Sequence, residues 1–371
     1  MKISIDATGL GGVKTGTAVY LTEILQVWNQ SPDIDHNFFI FASPKTSGYL
    51  NTLGLDSRFS FIDAPDSRLM RVFWQQLLMP WHLWRLGINV HWGCGFVLPL
   101  LSRRRMVVTI YDLTFQLFPA VHERVKRYYF PLMISAAVRK AKRVIAISET
   151  TRNDLHQLLP ASVGKTEVTL LAPRTLPSTD AGLDSIFDTL AGGRGYVICL
   201  GTLEPRKNLR RLFDAWLDID KDDRLGIKLV VVGVRGWMMG QVTSRNQEAD
   251  DSVVFTGFLE DADLSLLLGG ALALAYPSLY EGFGLPVLEA MSQGVPVLTS
   301  NTGATQEISG GAALLVDATD VLAIKDALLR LLKDGELRER LSVLGIAHAA
   351  RYSWTQTARQ TLAVLEQAAT L

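Results

Sequence analysis

The sequence predicts an α/β fold of two Rossmann-like domains, each built on a parallel sheet with helices on both faces. Three observations predict it. At 371 residues the chain is long enough to bury two cores. Continuous apolar runs alternate with amphipathic helical stretches throughout, and uninterrupted apolar strands belong to sheets covered on both sides. A stretch rich in Pro, Ser, Asp and Gly at Pro173–Gly195 divides the alternation, giving domains over residues 1–175 and 190–352.

The first domain takes strands at Lys2–Asp6, Asn37–Phe41, Phe59–Ile62, Ile88–His91, Met106–Ile110, Arg143–Ile147 and Glu167–Leu171. The second takes them at Tyr196–Leu200, Lys228–Gly233, Val253–Thr256, Ala271–Tyr276, Val295–Thr299 and Ala312–Val316. Leu264–Tyr280, as long as any uncharged run in the chain, contains Gly269, Gly270 and Pro277, so it reads as helix, turn and strand rather than a membrane span. The opening residues, MKISIDATG, carry no signal-peptide apolar region, and Cys94 and Cys199 fall in different domains, the pattern of reduced thiols in a cytosol. Zero net charge conceals an asymmetry. Residues 1–175 carry 20 Lys and Arg against 12 Asp and Glu, a balance of +8, and the remainder carries −8. A basic half suits an anionic surface or acceptor, and no nucleic-acid partner is expected.

The stretch Pro277–Pro296, PSLYEGFGLPVLEAMSQGVP, carries the most chemistry. It follows a buried strand and enters a helix at Leu285–Gln293, with Pro286 in the first turn, where a missing N–H costs nothing. Glu281 sits on the loop and Glu289 one to two turns into the helix. Gly282 and Gly284 flank Phe283 and let the backbone approach a ligand, while the free N–H groups near Leu285 point at it. Carboxylates accept sugar hydroxyls and amides bind oxygens or phosphates, so the pattern suits a polyhydroxyl ligand. A second element agrees. The strand Tyr196–Leu200 is followed by Gly201, then Arg206 and Lys207 at an exposed helix entrance, and a helix from Leu209. A guanidinium fork, an ammonium point charge and a helix dipole together make a diphosphate cradle.

These two elements resemble the Glu-x7-Glu and Gly-x4-Arg-Lys-Asn motifs of retaining glycosyltransferases of family 4, which have the GT-B fold, and the resemblance covers nearly the whole chain. It implies two domains facing a cleft, an N-terminal acceptor domain and a C-terminal nucleotide-sugar domain, with the last helix, about Thr355–Ala369 within residues 355–371, crossing back onto the first. It implies that Glu281 contacts the transferred sugar near its anomeric carbon. Glu289 is implied to hold the nucleotide ribose, and Gly201, Arg206 and Lys207 the donor diphosphate. The loop Gly9–Gly16 is implied to lie beside donor phosphates and acceptor, with Gly12 and Thr15 toward the acceptor and Gly16 toward the donor. This loop lacks GxGxxG spacing, so a bound NAD is not expected.

Tyr111 and Asp112 follow the fifth strand, where open α/β sheets place ligands. Many relatives have His-Asp there, the His lying under the transferred sugar, whereas this chain has Tyr-Asp, as some mannosyltransferase-like members do. Asp112 also fits a cap on the next turn. His91 ends the fourth strand beside Gly93 and Gly95 and fits either a core position or an acceptor contact. Among the D-x-D triplets, Asp33–Asp35 precedes a strand, Asp218–Asp220 reads as helix and Asp261–Asp263 as a helix cap. None ends a strand, so no metal or other cofactor is expected. Arg68, Arg71, Trp74, Trp81, Trp84 and Arg85, with Arg103–Arg105 and the RVKRYYF run at Arg124–Phe130, place basic and aromatic residues as at a membrane interface. The expected function is transfer of a hexose from a nucleotide sugar, with retention, to a glycan or polyprenyl-diphosphate-linked acceptor of bacterial surface polysaccharide, in the cytoplasm or on the inner face of the inner membrane. Trp74–Gln76, the Tyr-Asp-Leu turn and the Glu281 loop look most like mannosyltransferases of O-antigen assembly, which puts GDP-mannose before UDP-glucose, UDP-GlcNAc or a deoxyhexose donor. A sugar-nucleotide epimerase or hydrolase, and a non-catalytic binder, are the alternatives.

Overall fold

The computed structural model describes residues 1–10, 16–119, 124–174, 195–201, 204–233 and 251–371. The chain divides into two compact units, Met1–Leu171 with Ser353–Leu371, and Ala172–Tyr352. Among the described residues the first unit contains β1 (Lys2–Asp6), β2 (Asn37–Ala42), β3 (Phe59–Asp63), β4 (Val90–Gly93), β5 (Arg105–Ile110), β6 (Arg143–Ala146) and β7 (Thr166–Val168). The second contains β8 (Tyr196–Leu200), β9 (Lys228–Val232), β10 (Val253–Gly257), β11 (Ala273–Tyr276), β12 (Val297–Ser300) and β13 (Leu314–Val316).

All pairings in both sheets are parallel. The orders are β3-β2-β1-β4-β5-β6-β7 and β10-β9-β8-β11-β12-β13. Both are doubly wound, and each reverses direction once, between β1 and β4 and between β8 and β11. In open α/β sheets the crevice beyond the carboxyl ends of the strands at such a reversal is where ligands bind.

The first unit packs Phe41, Leu83, Val108, Ile110, Ile134 and Val144 into one core. The C-terminal helix Trp354–Thr370 packs against the helix Gly16–Gln30 and against β4, β5 and β6. Trp28 donates its indole N–H to Ala358 O at 3.0 Å, and the Tyr20 and Thr361 hydroxyls lie 3.3 Å apart. The second unit centres on Trp216, Phe213, Leu229, Leu298 and Leu328. Its helix Leu209–Leu217 turns a strongly apolar face inward, burying Leu209, Leu212, Phe213, Ala215 and Trp216.

The expected strands all form, with shifted ends that have local causes. β12 starts at Val297 rather than Val295 because Pro296 has no N–H for the ladder; its carbonyl still accepts from Leu274 N at 2.8 Å. β13 starts at Leu314, after Gly310 and Gly311 have turned the chain at positive φ. Asp218–Asp220 is not helical as expected: the helix closes at Leu217, and Asp218 caps it with its N–H on Asp214 O. The run Leu264–Tyr280 forms the end of the helix Asp261–Gly269 and then β11. Among the described residues no helix is long and apolar enough to cross a membrane.

Candidate active site

The reversal point of the second sheet assembles a cluster of charges. β8 ends at Leu200, and Gly201 turns the chain at φ 135°. A Cβ on Gly201 would lie 3.0 Å from Lys207 Cε, so glycine gives Lys207 room to fold back across the strand end. Arg206 and Lys207 occupy a tight turn, Pro205–Lys207, and Asn208 follows in the left-handed region at φ 60°. The Asn208 amide holds that conformation by donating to Pro277 O at 3.0 Å and Ala318 O at 2.6 Å. Leu279 N donates to Arg206 O at 2.9 Å, tying the loop after β8 to the loop after β11.

Glu281 is the centre of this cluster. Its side chain is 8 % exposed and takes Lys207 Nζ on one oxygen at 2.7 Å and Arg206 Nη1 on the other at 2.5 Å. Tyr276, the last residue of β11, donates its hydroxyl to the same carboxylate at 2.9 Å and itself accepts from Lys207. The other arm of Arg206 reaches Glu204 at 2.5 Å, and Arg206 also donates to Tyr280 O. Burial alone would raise the Glu281 carboxyl, but Lys207 and Arg206 overrule it and hold it down at about 2. Burial lowers the Lys207 ammonium, against the pull of Glu281, and raises the Tyr276 phenol well above its ordinary range. The two cations are therefore not the exposed pair expected at a helix entrance. They are largely buried partners of Glu281, brought there by the left-handed turn at Asn208.

Glu289 occupies a second charged position on the helix Leu285–Ser292. The helix starts after Gly284, whose φ of 104° strains any side chain and where a Cβ would come within 3.3 Å of Thr305 Cγ2. Phe283 is buried with its ring edge-on to Tyr352. Glu289 is buried, and Arg174 forks it, Nε at 2.5 Å and Nη2 at 3.3 Å, with its remaining amine on Asp261 at 3.2 Å. Arg174, Tyr276 and Glu204 are not among the site residues that the sequence suggests. Arg174 stands inside the Pro-rich break and belongs to no motif. Tyr276 carries a usable signal, because a polar tip on the last residue of a strand at a reversal point faces the crevice.

The first unit disposes of its expected residues differently. His91 on β4 is fully buried, with Nδ1 2.8 Å from Ser4 Oγ, and burial pushes its pKa down to about 4 despite the charge of Asp6. It has no exposed surface, which favours the core position of the two readings that the sequence leaves open. Tyr111 is buried and donates its hydroxyl to Cys94 O at 2.6 Å, with its ring edge-on to Tyr20 and Phe96. Asp112 accepts from Thr114 N at 3.0 Å and Thr114 Oγ1 at 2.7 Å, so it caps the next turn. Gly16 opens the helix Gly16–Gln30, while Gly12 and Thr15 lie outside the described residues. Asp6, which belongs to no motif, ends β1 opposite Gly93 at the reversal point. It is buried and held by Thr8 and by Gln75 Nε2 at 2.6 Å. Among the described residues no group of three or more His, Cys, Asp or Glu is arranged to hold a metal. Of the D-x-D triplets, Asp218 pairs with Lys325 and Asp261 with Arg174.

The chain has relatives among known proteins. The family described as Glycosyl transferases group 1 matches residues 185–345, which include Gly201, Arg206, Lys207, Glu281 and Glu289. The chain is 32 % identical over 279 residues to the O-antigen chain mannosyltransferase B of Escherichia coli, covering 74 % of this chain and 73 % of that one. It is 23 % identical over 336 residues to the O-antigen chain mannosyltransferase RfbU of Salmonella typhimurium, covering 85 % and 87 %. Among solved structures it is similar to Anabaena HepE in complex with UDP and glucose, with a TM-score of 0.76 at 16 % identity over 99 % of this chain and 100 % of that one. It is also similar to WaaG, a glycosyltransferase involved in lipopolysaccharide biosynthesis, at a TM-score of 0.75 and 13 % identity over 98 % and 99 % of the two chains. At these identities the structures speak for the fold, which is GT-B.

Proposed function

The chain belongs to the glycosyl transferases of group 1, and from that premise we propose that it is a retaining, metal-independent mannosyltransferase of surface polysaccharide assembly, taking GDP-mannose as donor. The observation that carries the reading is the Glu281 carboxylate locked between Lys207 and Arg206 at the carboxyl ends of β8 and β11. The sugar comes from the similarity to the two O-antigen mannosyltransferases.

In this reading the donor diphosphate enters beside Arg206 and Lys207 and shares them with Glu281. The bond between the anomeric carbon and the diphosphate oxygen breaks, and its electron pair leaves with the oxygen. Charge grows on the phosphate where two preorganised cations stand, which lowers the barrier. The acceptor hydroxyl forms the new bond on the same face and passes its proton to the departing phosphate oxygen. Glu281, ionised across the physiological range, orients the sugar hydroxyls and faces the positive charge that develops on the ring. Glu289, held by Arg174, receives the ribose hydroxyls. Asp112 and Tyr111 belong to the acceptor side only through the order of the first sheet. The acceptor is a glycan or polyprenyl-diphosphate-linked saccharide, met at the cytoplasmic face of the inner membrane.

The test is incubation with GDP-mannose, UDP-glucose, UDP-GlcNAc and deoxyhexose donors, each with and without a lipid-linked acceptor and each with EDTA. Transfer of mannose from GDP-mannose in EDTA, with the α-linkage of the donor kept in the product, is the expected result. Conversion of a donor in the absence of acceptor would instead mark an epimerase or hydrolase, and turnover restored only by Mg2+ or Mn2+ would remove metal independence.

A further inference from the structure

The helical stretch after β3 has an outer face made for something other than water. It runs as a helix over Arg68–Phe73, a wider π turn over Trp74–Leu78 and a second helix over Met79–Arg85. Its inner side is ordinary core: Trp74, Met79 and Leu83 are buried, and Gln75 reaches Asp6. Its outer side carries Leu69, Met70, Phe73, Leu77, Trp81 and Trp84, each between 47 % and 76 % exposed. Six large apolar side chains at steps of one to four residues form one stripe along the stretch, far more than the single exposed apolar residues that need no account. Leu101, 66 % exposed, follows on the loop before Arg103–Arg105.

The charge around this stripe selects its partner. From Arg68 to Tyr111 the sequence contains six arginines and no Asp or Glu. Arg85 lies over the Trp81 ring at 5.1 Å, and Arg104 donates to Trp84 O at 3.1 Å, so cations border the aromatic end of the stripe. A second copy of the chain would bring an equally basic stripe against this one. An anionic bilayer supplies both what the apolar side chains and what the arginines lack, with the rings at headgroup depth and the guanidinium groups on lipid phosphates.

We infer that this face, from Leu69 to Trp84 with Arg103, Arg104 and Arg105 at the entry to β5, docks the protein flat on an anionic lipid surface. The inference names the surface behind the membrane contact of the proposed function and depends on neither the donor nor the chemistry. Docking is measured by sedimentation with vesicles of phosphatidylglycerol and phosphatidylcholine against vesicles of phosphatidylcholine alone, with no sugar donor or acceptor present. The protein should partition to the anionic vesicles with a blue shift of tryptophan emission. Phe73→Glu and Trp84→Glu, both at exposed positions, should abolish it while leaving the melting temperature unchanged. Replacing Arg103, Arg104 and Arg105 by Gln should weaken partitioning on the order of 100-fold, at roughly fivefold per arginine near an anionic surface. Equal binding to both vesicle types, or wild-type binding by Phe73→Glu, overturns the inference. So does a dimer in sedimentation equilibrium that Phe73→Glu dissolves, which would make the stripe an interface between copies. Mannose transfer to a water-soluble acceptor fragment, measured on the same variants, keeps the two proposals apart: its loss in the wild type sinks the reaction and not the docking.

Discussion

Glu281 is buried and yet held strongly acidic by Lys207 and Arg206, and that has consequences for stability as well as for catalysis. Its carboxyl is held at about 2 against an ordinary 4.5. A depressed carboxyl stabilises the fold above its unfolded value and loses that contribution as pH falls through its folded value. The pairing therefore contributes roughly 3 kcal/mol at neutral pH, lost as the pH falls from about 4.5 to about 2. Urea titrations across that window should show the decline in the wild type and a flatter profile in Glu281→Gln; parallel profiles would mean that the ion pair carries no such weight. The same pairing changes what is expected of its cations. Lys207→Ala and Arg206→Ala should each lower kcat roughly 10²–10³-fold, the scale for losing one donor aimed at developing charge. Each should also destabilise the fold by about 1–3 kcal/mol, because a buried carboxylate loses a partner. The motif makes the residues legible but not this coupling, since spacing along the chain does not reveal that Asn208 turns left-handed and folds the cations back onto Glu281. Arg174 is illegible altogether: its partner Glu289 lies 115 residues away in the chain. As a positioning residue for Glu289, which the proposed function assigns to the ribose, Arg174→Ala should raise the donor KM several-fold at nearly constant kcat, with partial recovery in Arg174→Lys. An equal fall in kcat would instead place it at the reacting atoms.

Among the elements, the helix Leu285–Ser292 has the most exacting start. Gly284 combines φ 104° with a wall formed by Thr305, so a methyl group there meets both backbone strain and a contact at 3.3 Å. Gly284→Ala should cost about 1–3 kcal/mol and, because it shifts the helix that carries Glu289, weaken nucleotide affinity in calorimetry. An unchanged melting temperature would show that the start is softer than its geometry. This element is legible in the amino-acid sequence, because Gly-Phe-Gly-Leu-Pro is a local signal that needs no distant partner. Strand existence is equally legible, since buried parallel strands are continuous apolar runs. Strand ends are not, being fixed by neighbours such as Pro296. The helical stretch Arg68–Arg85 shows the limit of periodicity. Its basic and aromatic residues are visible in sequence, but which side of the stretch faces the core depends on Phe41 and Asp6, which belong to other strands.

At the scale of the whole molecule, the chain's last helix belongs to its first unit. The helix Trp354–Thr370 packs against the helix Gly16–Gln30, β4, β5 and β6, so more than 300 residues of sequence separate partners such as Tyr20 and Thr361. Leu365 is fully buried within this packing. Leu365→Ala should remove about 2–5 kcal/mol, the usual cost of truncating a core leucine. The loss should fall on one unit. Amide exchange ought to quicken in β1, β4, β5 and the helix Gly16–Gln30, while β8, β11 and the helix Leu285–Ser292 keep their protection, since local openings follow compact units rather than chain order. Nucleotide binding, which the proposed function assigns to the second unit, should survive the substitution when transfer to an acceptor has already weakened. If protection instead fell equally in both units, the two would unfold as a single cooperative body, and a mutation in either would reach the site by stability alone.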